Sequence, residues 1–196
     1  PVDGSGSRGF HICHNAAEFK EKYKDAASFS PTKRVIVEDF IPYDAVIIHY
    51  TMFHGNCYFS GMSDKISRKF ASTGSSVMGF QTLPSKGQDV YLQKLNERVC
   101  TMFEKAGFTD GPIWIEAFYD GKDRFFFNEM GYRFGGSLTN YPVKYFYGID
   151  QLDLMISSAL SGDIPFTQIQ NKNPKNYCIL PIHTKAGKIQ HVVGEN

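Results

Sequence analysis

The sequence predicts an α+β fold, with a mixed, mostly antiparallel sheet and helices packed against it. Three observations favour this class. Apolar runs of strand length are joined by tight turns, as His54-Gly55 joins residues 45–53 to residues 56–62. Residues 89–106 carry apolar side chains at helical spacing. Helical and strand-like segments also alternate along the chain, with several consecutive strands joined directly.

The composition is that of an ordinary globular protein and excludes some classes of function. A length of 196 residues suits one large domain or a closely joined pair. The net charge of +1, without long charged blocks, argues against binding nucleic acid through its phosphates. No apolar run reaches membrane-spanning length, and the 4 cysteines lack metal-site spacing. We therefore expect a cytoplasmic protein with reduced thiols that binds neither nucleic acid nor membranes.

Residues 1–9 are rich in glycine and serine, which is typical either of a flexible linker or of a loop that binds an anion through backbone N–H groups. The following residues favour the loop. Residues 11–14 form a short strand-like run, and Asn15-x-x-Glu18 is a capping box that predicts a helix through about Ala27. Arg8 adds a cation suited to phosphate oxygens.

Residues 34–41 are rich in β-branched side chains with little alternation, which predicts a strand buried on both faces. After the hairpin around His54-Gly55, residues 63–86 are polar and irregular. They are interpreted as a solvated loop, or alternatively as a mobile loop on the substrate side.

The helix predicted at residues 89–106 has one apolar stripe, and Gly107 stands where a C-cap is expected. We expect this stripe to face the core. Its members are Leu92, Leu95, Val99, Met102 and Ala106.

A central hairpin is predicted from residues 113–119 and 125–130, joined by the turn sequence at 120–123. If Asp120 pairs with Phe125, Glu116 lies directly opposite Glu129 on the same face of the sheet. Like charges in this position are destabilising, so a shared proton or a divalent cation must compensate. The alternative is a register shifted by one residue, which sends one glutamate into solvent.

The rest of the chain predicts a glycine-rich loop at 133–137 and a helix from about residue 149 to 160. Residues 177–193 predict two short strands joined by residues 185–188.

The order of these features resembles the C-terminal two-thirds of an ATP-grasp domain, the fold of carbamoyl-phosphate synthase, biotin carboxylase and D-alanine–D-alanine ligase. Residues 1–9 resemble its mobile phosphate loop, and Val37-Glu-Asp-Phe-Ile41 resembles its adenine-binding hinge. Glu116 is similar to the first metal-binding acid, and Glu129-Met-Gly-Tyr-Arg133 resembles its Glu-x-Asn-x-Arg motif. Within that family, the sequence looks most like the carbamoyl-phosphate-synthase-like stand-alone ligases. The resemblance implies part of a small subdomain at 1–41 and a large subdomain at 42–196.

The resemblance also implies a role for each site residue. Glu116 and Glu129 would hold Mg²⁺, or Mn²⁺, and Arg133 would contact the γ-phosphate or an acyl-phosphate. The remaining residues would bind ATP: Gly4, Ser5, Gly6, Ser7 and Arg8 at the phosphates, Glu38, Asp39, Phe40 and Ile41 at the adenine, and Asp44 as the acid nearest to the ribose position.

Three features depart from the family pattern. Gly131 stands where an asparagine metal ligand is usual, and Asn128 is expected to point to the opposite face. Asp44 lies one residue closer to the hinge than the usual ribose-binding glutamate. The lysine expected before Pro1 lies outside the chain, so we expect a fragment that binds nucleotide poorly and catalyses nothing alone.

The activity implied is that of an ATP-dependent carboxylate–amine (or thiol) ligase acting through an acyl-phosphate. Its partners would be a small carboxylate and an amine or ammonia, and a homodimer is compatible with the sequence. Such chemistry needs no protein nucleophile, in keeping with the lack of a Gly-x-Ser-x-Gly motif. The alternatives are an ATP-dependent carboxylase or phosphotransferase, a non-catalytic nucleotide-binding module, and an aromatic surface for single-stranded nucleic acid supported by Phe125-Phe-Phe127 alone.

Overall fold

A computed structural model describes residues 1–4, 8–69, 76–136, 138–161, 176–181, 187–188 and 190–191. Its strands form one sheet in the order β5-β4-β1-β2-β3-β6, and every pairing is antiparallel. The strands are β1 (Asp44–Phe53), β2 (Asn56–Lys69), β3 (Ser76–Leu83), β4 (Gly111–Tyr119), β5 (Phe125–Gly131) and β6 (Tyr177–Ile179). The helices are α1 (Ala16–Ser28), α2 (Gln88–Tyr91), α3 (Glu97–Lys105), α4 (Asn140–Tyr147) and α5 (Gln151–Ser161). The predicted α+β class is confirmed.

The start of helix α1 and the hairpin β1–β2 form as predicted. The Asn15 side chain accepts hydrogen bonds from the backbone N–H groups of Ala17 and Glu18 at 3.0 and 2.9 Å. Between β1 and β2, His54 and Gly55 both adopt positive φ angles, 49° and 77°. This is the combination that a two-residue type I′ turn requires, and it matches the right-handed twist of the strands.

The loop predicted at residues 63–86 is wrong over most of its length, because β2 continues to Lys69 and β3 begins at Ser76. The strand looked like a loop because one of its faces is polar. Met62 is buried in the core, whereas the partners of Ile47 and Ala45 in β2 are Ser63 and Lys65. These polar side chains lie on the face of the sheet opposite to the core.

The strand predicted at residues 34–41 is also wrong. The segment has no regular strand structure, and the side chains of Ile36, Val37 and Phe40 are 59%, 64% and 63% exposed. β-branched residues favour an extended backbone, but a strand forms only where a neighbouring strand pairs with it. No described strand pairs with this segment. The short run at 11–14 is likewise not a strand.

Helices α2 and α3 are joined by a π-helical turn, Leu92–Asn96, into one continuous helix. A π turn contains one more residue than an α turn, so it rotates the face of the helix. The residues that pack on the sheet are Tyr91, Leu95, Val99 and Phe103. The predicted stripe is therefore wrong at Leu92, Met102 and Ala106, which are exposed. Gly107 follows the helix with φ = 80°, as predicted for a C-cap.

The core lies between this helix and one face of the sheet. It includes Val46, Ile48 and Tyr50 of β1, together with Ile113 and Ile115 of β4. Because side chains alternate along a strand, Ile47, His49 and Thr51 project from the opposite face. No helix in the described ranges is long and apolar enough to cross a bilayer.

Helix α5 covers one end of that opposite face. The amide nitrogen of Gln151 donates a hydrogen bond of 2.8 Å to the Thr51 hydroxyl. The predicted helix at about 149–160 is thus confirmed, whereas α4 was not predicted as a helix. β6 matches the first of the two predicted C-terminal strands, and the second falls mostly outside the described residues.

Candidate functional site

Glu116 of β4 and Glu129 of β5 are direct partners across the two strands, as the sequence predicted. The register near the turn differs from the prediction, however, because Tyr119 rather than Asp120 pairs with Phe125. A β-bulge between Glu116 and Ala117 leaves one extra residue, Asn128, in β5. This extra residue shifts the register by one position, so that Glu116 pairs with Glu129 as predicted. The opposed glutamates therefore result from a register that changes midway along the hairpin.

The same bulge reverses the expected direction of Asn128. Its side-chain amide donates a 3.4 Å hydrogen bond to Oε1 of Glu116, so the prediction that it points to the opposite face is wrong. An extra residue interrupts the alternation of side chains, and consecutive residues then lie near the same partner. Asn128, Glu129 and Glu116 form one polar group.

Lys65 compensates part of the charge at the paired glutamates. Its ammonium group forms an ion pair with Oε2 of Glu116, and the two side chains are 25% and 13% exposed. The sequence predicted a shared proton or a divalent cation as the compensating group, and it did not predict Lys65, which was expected in a loop. One feature of the sequence did indicate the position of Lys65. Gly61, Ser63 and Lys65 are spaced by two residues and so share one face of a strand that continues the β1–β2 hairpin.

Glu129 differs from its partner in that it is exposed, and within the described ranges it forms no ion pair and no side-chain hydrogen bond. The pair therefore comprises one carboxylate held by protein groups and one free to bind a ligand. Mg²⁺ commonly binds through one or two carboxylates, several waters and a substrate phosphate. The two glutamates fit such an open site. Among the described residues, no group of three or more histidines, cysteines and acids forms a closed metal site.

The glutamates line a cleft of about 250 Å³ on the polar face of the sheet. Strand residues His49, Lys65 and Trp114 form part of it, and the loop after β5 closes one side with Arg133 and Gly136. The structure thus brings together all three residues that the resemblance assigned to metal and phosphoryl chemistry, which are Glu116, Glu129 and Arg133.

Gly131, the departure from the family motif, is explained by its neighbour Trp114. A Cβ atom at residue 131 would lie 2.6 Å from both Cε2 and Nε1 of the indole, which is far closer than van der Waals contact. The indole therefore occupies the space that a side chain at this position needs. Arg133 packs its guanidinium 5.1 Å from the centroid of the same ring and donates a 2.8 Å hydrogen bond to the Phe134 carbonyl.

Within the described part of the chain, two buried nitrogen atoms of residues that line this cleft have no hydrogen-bond partner, His49 Nε2 and Trp114 Nε1. His49 is 5% exposed, and burial lowers its pKa from 6.5 to about 4. The imidazole is therefore neutral at neutral pH. No motif in the sequence singles out His49, because only the sheet register shows that it pairs with Trp114.

The residues predicted to bind ATP lie in the first part of the chain. Ser5, Gly6 and Ser7 fall outside the described residues, and Gly4 and Arg8 on either side are exposed. Backbone and side-chain hydrogen bonds tie the start of this loop to the segment before the hinge, from Val2 to Arg34 and from Thr32 to Asp3.

The hinge residues lie directly before β1. Glu38, Asp39 and Phe40 are exposed and Ile41 is half-buried, whereas Asp44 is exposed at the first position of β1. Their side chains and backbone are therefore accessible to a ligand.

No family model and no curated protein matches the chain. Among solved structures, it is similar to the biotin carboxylase domain of 2-oxoglutarate carboxylase from Hydrogenobacter thermophilus, solved as a dimer with MgADP, ADP and bicarbonate. The TM-score is 0.71, with 18% identity over 89% of this chain and 38% of that one. A biotin carboxylase from Campylobacter jejuni, solved as a β-γ-ATP complex, matches with a TM-score of 0.66. The identity is 19% over 83% of this chain and 36% of that one.

An L-amino acid ligase from Bacillus licheniformis matches with a TM-score of 0.51 and 23% identity, over 62% of this chain and 30% of that one. The chain therefore spans at most 38% of the length of these three structures. All three are ATP-grasp enzymes, of the carboxylase and ligase types. Similarity at these identities establishes the fold, and the chain has the ATP-grasp fold that its sequence predicted.

Proposed function

We propose that the chain is the nucleotide- and metal-binding part of an Mg²⁺-dependent, ATP-dependent carboxylate–amine (or thiol) ligase. The observation that carries the proposal is the pairing of Glu116 with Glu129 at a cleft that also contains Arg133, on an ATP-grasp fold. The complexes of the similar carboxylases with MgADP and a β-γ-ATP ligand support the choice of cofactor.

Glu116 and Glu129 would hold Mg²⁺, which would neutralise charge on the ATP phosphates. Glu129 is available for this role because it has no ion pair or side-chain hydrogen bond within the described residues. Glu116 must first release Lys65, whose ammonium group then becomes a second cation for an anionic ligand in the cleft. Asn128 keeps Glu116 oriented through its hydrogen bond.

The nucleotide would lie between the glycine-serine loop and the hinge, in a small subdomain of residues 1–41 that adjoins a large subdomain of residues 42–196. Backbone N–H groups from Gly4 to Ser7, with Arg8, suit the phosphates. The hinge at 38–41 has an exposed backbone that can pair with a base edge, and Asp44 follows at the ribose position.

Arg133 would stabilise the negative charge that develops on the transferred phosphoryl group. In the proposed reaction an oxygen of the substrate carboxylate attacks the γ-phosphorus, and ADP leaves. The amine or thiol then attacks the acyl carbon, phosphate departs, and the nucleophile loses its proton. Arg133 is exposed and held over the Trp114 ring, so it is oriented before a ligand binds.

A second candidate is a nucleotide-binding module of the same fold that does not catalyse the reaction. Two observations favour it: Gly131 replaces an expected metal ligand, and Lys65 occupies Glu116. A carboxylase remains the enzymatic alternative, with bicarbonate in place of the organic carboxylate. Cytoplasmic location and assembly as a homodimer stay predictions.

The test uses thermal unfolding of the complete protein. Mg-ATP at about 100 times its dissociation constant should stabilise it by about 2.7 kcal/mol. Glu129→Gln should abolish this stabilisation, and Glu97→Gln, on the exposed side of α3, should retain it. A stabilisation that survives Glu129→Gln contradicts the metal assignment. Phosphate release with carboxylate–amine pairs indicates a ligase, release with bicarbonate indicates a carboxylase, and binding without release indicates the module.

A further inference from the structure

Two residues that line the cleft have polar atoms that nothing in the proposed reaction uses. His49 of β1 and Trp114 of β4 are direct partners across the sheet, and within the described residues each has a buried nitrogen without a hydrogen-bond partner. A buried polar group without a partner costs free energy, so native structures rarely keep one without a reason. Two such atoms on paired residues that line one cleft suggest a ligand as the missing partner.

The glycine at residue 131 makes room for this arrangement. Any side chain there would collide with the indole at 2.6 Å. At Gly136, in contrast, an added Cβ would meet no atom of the described residues within 4 Å, so the packing of the indole requires a glycine at residue 131 and not at residue 136. The space that a side chain at residue 131 would fill, close to Glu129, is therefore occupied by the indole of Trp114.

The charges around the two nitrogen atoms favour an anion. Arg133 lies over the Trp114 ring, and Lys65 becomes available when Glu116 binds the metal of the proposed function. The neutral His49 imidazole can donate or accept one hydrogen bond through Nε2, depending on its tautomer. Trp114 can only donate, and its natural partner is an oxygen atom.

The size of the cleft limits the ligand. Its volume is about 250 Å³. Since one water molecule takes roughly 30 Å³ in the liquid, the cleft accommodates a ligand of roughly eight non-hydrogen atoms. A whole nucleotide is too large for this volume, whereas a carboxylate with a short polar substituent fits it.

We propose that His49 and Trp114 form the floor of a subsite for a small carboxylate of roughly eight non-hydrogen atoms or fewer. Trp114 Nε1 donates to a carboxylate oxygen, His49 Nε2 bonds to a polar substituent, and Arg133 balances the charge. This inference rests on the proposed function for the role of that carboxylate as the group that accepts the phosphoryl. It adds which residues of the chain select it by size and polarity.

The experiment exploits the fact that Trp114 is the only tryptophan of the 196-residue chain. The chain is titrated, with Mg²⁺ present, with acetate, glycolate, L-alanine and succinate, and with chloride at matched ionic strength. The emission of Trp114 and its single indole N–H resonance report binding. We expect at least one carboxylate to change both in a saturable manner. The inference is overturned if none of them changes the two readouts more than chloride does.

The matched variant is His49→Phe, which keeps an aromatic ring and removes the nitrogen. We expect carboxylate binding at least 10-fold weaker and a melting temperature that is not lowered, because the variant removes a buried polar atom without a partner. Tyr147→Phe is the control, since it removes only a hydroxyl that donates to Gln88, and neither residue lines the cleft, so binding should be unchanged. If His49→Phe binds the carboxylate as tightly as the parent, the inference is wrong.

The two proposals fail in different ways. A Mg-ATP stabilisation of the complete protein without any carboxylate response at Trp114 refutes the subsite alone. A carboxylate response that His49→Phe weakens, without a Mg-ATP stabilisation, supports the subsite and refutes the ligase proposal.

Discussion

The contact between Gly131 and Trp114 gives a sharp prediction for Gly131→Ala. The added Cβ would lie 2.6 Å from Cε2 and Nε1 and 2.7 Å from Cζ2 of the indole, where ordinary contact begins at 3.4 Å. The ring must therefore move by roughly 1 Å, and overpacking of this kind costs about 1–3 kcal/mol. For a chain of this size, a loss of about 2 kcal/mol lowers the melting temperature by roughly 4–8 °C.

Thermal and urea unfolding followed by Trp114 emission measure both the loss of stability and the displacement of the ring. The matched control is Gly136→Ala in the same loop region. A Cβ at Gly136 meets nothing within 4 Å, and its φ angle is not in the left-handed region. We expect this control to unfold within about 0.5 kcal/mol of the parent.

A double-mutant cycle separates the collision from other effects of alanine. Trp114→Phe replaces the indole with a smaller ring that lacks Cζ2, so Gly131→Ala should cost less in a Trp114→Phe background, measured by circular dichroism. The explanation is refuted if Gly131→Ala is as stable as Gly136→Ala, with unchanged emission, or if the cost persists without the indole.

The other predictions concern His49, Lys65 and Asn15. Burial lowers the pKa of His49 from 6.5 to about 4, so the unfolded chain binds one more proton between these values. The free energy of unfolding should rise with pH across this window and lose about 3 kcal/mol as the pH falls through it. Urea unfolding of His49→Phe should lack that slope, and an unchanged slope contradicts the assignment. Lys65→Met should lower stability by about 1–3 kcal/mol without metal, since Glu116 loses its cation, and added Mg²⁺ should restore it. If Mg²⁺ raises the stability of Lys65→Met and of the parent equally, Lys65 does not compensate the charge of Glu116. Asn15→Ala should cost about 1 kcal/mol through loss of the α1 cap, measured by circular dichroism, and no loss shows that the cap is dispensable.

The sequence was sufficient for elements whose local chemistry decides their structure. The capping box at Asn15, the turn at His54-Gly55 and the cap at Gly107 depend on residues adjacent in the chain. The opposed acids Glu116 and Glu129 were also found, although through a register that the Asn128 bulge changes. A bulge leaves no mark on the pattern of apolar residues, so sequence alone does not show it.

What could not be predicted depends on neighbours that are distant in the chain. Lys65 looked like a loop residue because it faces a polar cleft rather than the core. The π turn after Tyr91 changes the buried face of its helix without any proline or glycine to indicate it. The run at 34–41 has strand composition, but none of the described strands pairs with it. In each case tertiary context outweighs local preference.

Electron paramagnetic resonance of Mn²⁺ bound to the complete protein with ADP shows directly whether the opposed glutamates hold a metal ion. We expect Glu116→Gln and Glu129→Gln each to abolish the protein-bound signal and Glu97→Gln to retain it, because the two carboxylates would hold the ion together with the phosphates. Metal binding that persists in both cleft variants would contradict the assignment of Glu116 and Glu129 as metal ligands.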